Sequence, residues 1–163
     1  MNIEQAFVKC NDSNVIKSIV ERRLNGDLKE LRLKYDVKAG DSFDVFLAND
    51  SKRKTAVSAD NNGWITIIES KEVNDYSMLL EISKETESDV FAIMQYDSVG
   101  AWGFVFISKG EIIENYFSEE DEDYEEMIEE KLKERGIKTI LLLFREVVQM
   151  KNSDWVIVKK DNG

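Results

Sequence analysis

Apolar residues recur along this chain with two alternating periods, and the changes of period mark out its elements. Ala6 and Val8 alternate with Phe7 across residues 5–9, which predicts a short strand. The polar run Asn11, Asp12, Ser13, Asn14 then offers caps for a helix with Val15, Ile16, Ile19, Val20 and Leu24 on one stripe and Gly26 just beyond its end. Leu28, Leu31 and Tyr35 predict another short helix within residues 28–40, and residues 43–48 read as a strand. The β-prone runs 55–60 and 64–69 read as a hairpin, because Asn62-Gly63 between them tolerates positive φ. Residues 74–86 form a helical pattern, capped by Asn74 or Asp75, with Tyr76, Leu79, Leu80 and Ser83 in register.

Three β-rich runs follow, at 90–96, 102–107 and 111–117, spaced as an antiparallel meander. The first two are apolar on both faces and belong in the sheet interior, whereas Glu111, Glu114 and Asn115 set the third at an edge. Residues 118–134 read as a helix: Ser118-Glu119-Glu120-Asp121 has the form of a capping box, and Tyr124, Met127, Ile128 and Leu132 share a stripe. Lys131, Lys133 and Arg135 complement its dipole, and Gly136 closes it. The length of 137–149, around the apolar run Ile140 to Phe144, favours a helix, and residues 155–159 a last strand.

The order strand, helix, strand, strand occurs over residues 5–59 and again over 64–107, a pseudo-repeat of topology without residue identity. No Ser-, Gly- or Pro-rich linker interrupts the chain. The expected fold is therefore a single α+β domain over residues 1–163, with helices packed on a largely antiparallel, or mixed, sheet.

Composition narrows the chemistry. At 163 residues and 42% hydrophobic content, the chain is long enough to bury about two-thirds of its unfolded surface. It has no histidine, which removes Ser-His-Asp and Cys-His catalysis and the usual catalytic zinc sites. Its one cysteine, Cys10, lacks a disulfide partner and reads as a core or half-buried thiol. There is no secretory signal and no apolar run long enough for a bilayer, so a cytoplasmic location is expected. No calcium loop, dinucleotide fingerprint or Walker loop is present, and neither a metal nor another cofactor is expected. Lys52-Arg53-Lys54 reads as a solvated turn.

The net charge of −11 is concentrated in residues 118–134, where ten acidic side chains stand against two lysines. A helix start needs two or three acids, whereas Glu119, Glu120, Asp121, Glu122, Asp123, Glu125, Glu126, Glu129 and Glu130 repel one another. That excess marks them as a candidate surface for a basic protein partner; nucleic acid and anionic membranes are disfavoured. Oligomeric state is left open. An acidic array also mimics nucleic-acid phosphates, which makes a nucleic-acid-acting protein the natural target. In size, acidity and lack of catalytic groups, the chain resembles the immunity proteins that bacteria make against nuclease toxins and, less closely, phage inhibitors of host defence. That likeness is one of general character and carries over no positions.

The expected function is thus a non-enzymatic, inhibitor-type protein-binding domain. The alternatives are a small-ligand or sensory domain with a pocket at Trp64 and Trp102, and a metal-dependent hydrolase. The last would use the Glu-x-Lys pattern of Glu69 and Lys71 with Asp44 or Asp60 upstream.

Overall fold

The computed structural model describes residues 2–23, 28–33, 51–58, 60, 62–71, 75–96, 101–118, 124–137 and 155–161. Among these, eight strands form one sheet: β1 (Asn2–Val8), β2 (Leu28–Leu33), β3 (Ser51–Val57), β4 (Ile65–Lys71), β5 (Asp89–Tyr96), β6 (Trp102–Ser108), β7 (Glu111–Ser118) and β8 (Trp155–Asp161). Their spatial order is β2-β8-β3-β4-β1-β5-β6-β7, and every neighbouring pair is antiparallel. Three helices pack on it, α1 (Ser13–Arg23), α2 (Ser77–Thr86) and α3 (Tyr124–Glu134), giving the α+β class that the pattern predicts.

The alternation in β1 decides where those helices sit. Ala6 and Val8 join Ile65, Ile67, Val90 and Val105 in one core, covered by Ile16, Ile19 and Val20 of α1 and Met78, Leu79 and Ile82 of α2. Phe7 points the other way, into a core with Phe91, Ile93 and Phe104 that is covered by Ile128 and Leu132 of α3. Helices therefore cover both faces. Each such large apolar side chain, fully buried, contributes about 1.5–3 kcal/mol.

Local chemistry ends the elements where the residues predict. The Asp12 carboxylate accepts the N–H groups of Asn14 and Val15 at 3.1 and 3.4 Å, starting α1. Val15 nevertheless turns outward, 40% exposed, so the buried stripe of α1 is Ile16, Ile19 and Val20. Asp75 accepts the Ser77 N–H at 3.1 Å ahead of α2. Between β3 and β4, Asn62 and Gly63 adopt φ of 54° and 84°, and Asp60 accepts the Gly63 N–H at 3.0 Å. Arg22 bonds Glu81 and Glu85, and Arg23 bonds Glu81, so α1 and α2 lie side by side on one face.

Two expectations are corrected. Residues 28–33 form a strand and not a helix, because Leu31 and Leu33 pair opposite Ile157 and Trp155 of the distant β8, which overrides local spacing. Lys52, Arg53 and Lys54 lie within β3 and not in a turn. Ser118 ends β7 opposite Trp102, and the described part of the acidic helix is Tyr124–Glu134, the residues between them lying outside the described residues. The strand expected at 43–48, the rest of the helix expected from Ile137, and Leu24, Gly26, Tyr35 and Asn74 lie outside the described residues. No described helix is long and apolar enough to cross a membrane.

Gly103 joins β6 to the outermost strand at close range: a Cβ there would stand 2.5 Å from the Tyr116 carbonyl oxygen. A backbone oxygen held in a ladder yields poorly, so Gly103→Ala is expected to destabilise the fold by about 1–3 kcal/mol. Urea denaturation measures this directly, and an unchanged midpoint would mean that β6 and β7 part freely.

Candidate functional site

The acidic segment is built around the way α3 is seated. Ile128 and Leu132, four residues apart, are 0% and 3% exposed, with Met127 half-buried beside them. Lys131 and Arg135 turn under the helix instead of out. The Lys131 ammonium donates to Glu114 of β7 at 3.1 Å and lies 5.7 Å from the Phe104 ring centre. The Arg135 guanidinium donates to the same carboxylate at 3.1 Å and lies 4.9 and 4.4 Å from the Phe91 and Phe106 ring centres. Cation–π contacts on partly desolvated rings and a shared carboxylate hold both cations inward. Glu134 flanks them at 3.9 and 3.6 Å.

What remains outside is acidic. Glu126, Glu129 and Glu130 are exposed, and among the described residues no ion pair engages them. Lys133 is the exposed cation of the same helix. Glu125 lies on α3 as well, whereas Glu119, Glu120, Asp121, Glu122 and Asp123 lie outside the described residues.

The two tryptophans are not brought together. Both belong to the aromatic core beneath α3, at 7% and 2% exposure. Trp64 precedes Ile65, which pairs with Val8, whereas Trp102 pairs with Gln95, itself opposite Ile3. They therefore stand at opposite ends of β1. Trp102 packs instead against Tyr116, with ring centres 5.3 Å apart, and Tyr116 stacks on Phe104 at 5.4 Å.

A pair of acids escaped the sequence reading. Glu4 and Glu69, 1% and 2% exposed, stand directly opposite one another on β1 and β4, and Thr55 of β3 donates to Glu69 at 3.1 Å. Both carboxylates also engage other groups. The usable signal was parity: Glu4 continues the series Ala6, Val8 backwards by one step onto the same buried face. The hydrolase reading named Glu69 but sought its acid elsewhere. Asp60 sits at the hairpin, at the far end of β4, and Asp44 lies outside the described residues. Among the described residues, no three His, Cys, Asp or Glu side chains gather to hold a metal. Cys10 is half-buried against the α1 and α2 core, its sulfur accepting the Asp12 N–H at 3.4 Å.

Comparison of the chain with protein-family models, with curated proteins and with solved structures finds no match.

The Lys131 hydrogen bond, joined by the charges of Lys131 and Arg135, holds the Glu114 carboxyl below its ordinary value of 4.5 against the opposing effect of burial. A carboxyl lowered in the folded state adds stability above the ordinary value, and that stability is lost as pH falls through the folded value. Glu114 is 38% exposed, so the contribution is screened to at most about 1 kcal/mol. Glu114→Gln is expected to lower Tm at pH 7 by that modest amount. The gap from wild type should close on acidification, and a gap that persists in acid would assign the effect to packing.

Proposed function

We propose that this chain is a non-enzymatic protein-binding domain whose α3 surface docks a basic protein partner, in the manner of an inhibitor or immunity protein. The observation that carries this reading is the sorting of charge on α3. Its inner cations, Lys131 and Arg135, are held by Glu114 and by aromatic rings, so they do not neutralise Glu126, Glu129 and Glu130 on the outside. Folding requires the buried stripe and the Glu114 contacts. It does not require three neighbouring exposed carboxylates, whose mutual repulsion costs a few tenths of a kcal/mol per close pair. A basic partner relieves that cost, and the long-range field of a chain at −11 steers such a partner in. An array of carboxylates carries the same sign of charge as nucleic-acid phosphates, which makes a nucleic-acid-acting protein the favoured target.

The test is a triple reversal, Glu126→Lys, Glu129→Lys and Glu130→Lys, in a chain whose circular dichroism and Tm remain close to wild type. Captured partners from the source cells, identified by mass spectrometry, should include a basic protein. The reversal should weaken its binding at least about tenfold, or about 1.4 kcal/mol, and added salt should weaken wild-type binding in parallel. Equal affinity of the reversed and wild-type chains would overturn the reading.

A further inference from the structure

At the end of the sheet beside α3 lies β7, which pairs with β6 alone among the described strands. Its eight residues, EIIENYFS, contain neither lysine nor proline, two common guards of an open edge. Three of its apolar side chains face solvent: Ile112, Ile113 and Phe117 are 46%, 60% and 55% exposed. Register sets their side. Ile112 lies opposite Ile107, and Phe117 opposite Gly103, on the face that α1 and α2 cover elsewhere. A single bulge between the Ile112 and Glu114 pairings carries Ile113.

The opposite face of the same edge is charged. Glu114 and Tyr116 stand opposite Phe106 and Phe104, on the α3 side. Met127, Glu130, Lys131 and Glu134 share one flank of α3 by three- and four-residue spacing, and the Lys131 bond to Glu114 turns that flank toward β7. The edge thus has an apolar side and a side on which Lys131 and Arg135 are taken up by Glu114 while Glu130 and Glu134 are exposed, and between them lies a main chain that no described strand but β6 pairs.

The geometry points to β7 as the site where an extended segment of the partner adds to the sheet as a further strand. Its alternate side chains would be apolar against Ile112, Ile113 and Phe117, and lysine or arginine toward Glu130 and Glu134. This inference rests on the acidic docking surface and names the shape of what docks. Main-chain hydrogen bonds supply affinity in such strand addition, and the alternating side chains supply specificity. A second copy of the chain fits the same edge less well. Pairing two β7 edges antiparallel keeps like faces together, which sets one acidic α3 beside another in a pair of chains already at −11 each.

The probe is a fluorescent peptide the length of β7, eight residues of alternating lysine and valine, against a block-sequence peptide of equal composition. Anisotropy titration of the full chain should favour the alternating peptide by at least about tenfold. The variant Ile113→Lys/Phe117→Lys, or Ile113→Lys alone if the double variant unfolds, should remove that preference. Three results would overturn strand addition: equal binding of both peptides, a preference that survives at the altered edge, or sedimentation showing a dimer that the edge variant dissolves. If the Glu126, Glu129, Glu130 reversal still abolishes partner capture while the edge variant leaves it intact, the acidic surface stands and strand addition alone falls. If neither set of changes affects partner capture, both fall.

Discussion

From Glu4 to Val8, β1 has no solvent face. These residues are at most 5% exposed, so both sides of this one strand must be covered, and the rest of the molecule is arranged around that demand. α1 and α2 meet it on the Ala6 and Val8 side, joined to each other by Arg22, Arg23, Glu81 and Glu85. On the Phe7 side it is met by an aromatic layer and α3. Antiparallel sheets often leave one face wet; here a sheet of eight described strands is covered on both faces at its centre.

The seat of α3 follows from that layer. Phe91, Phe104 and Phe106 offer ring faces that attract cations, and Arg135 and Lys131 lie over them with Glu114 as the shared anion. The arrangement satisfies charges close to an apolar surface, where an unpaired charge would be costly. It also fixes which side of the helix carries positive charge, and Glu126, Glu129 and Glu130 face water. The charge asymmetry of the helix is therefore a product of core packing as much as of composition.

Much of this was legible because it was local. Asn62-Gly63 marked the hairpin, short spacings marked the β5-β6-β7 meander, and Glu111, Glu114 and Asn115 marked its edge. What escaped depended on distant partners. Leu28 to Leu33 became a strand only because β8 pairs with it. The opposition of Glu4 and Glu69 requires knowing that β1 and β4 are adjacent, which no residue of either strand announces. Trp64 and Trp102 each begin an apolar run, and that likeness hid their separation along β1. For the candidate site, the acidic excess and the buried stripe of α3 were both readable. The inward pull on Lys131 and Arg135 was not, because Glu114 and the phenylalanines reach the helix through the sheet.

The place of β8 between β2 and β3 has a further meaning in time. The β4-β1-β5-β6-β7 portion draws on strands that are complete once Ser118 has been made, and it can assemble while synthesis continues. β2 is different: among the described strands it pairs with β8 alone, so its ladder waits for β8, which is made after α3. Until then no described strand pairs with β2 or with the outer edge of β3. Such long-range closure slows folding and leaves pairing edges open to neighbours. Completion of this part of the sheet thus waits until β8 has been made, and a chain cut short before Trp155 would lose the strand that stands between β2 and β3.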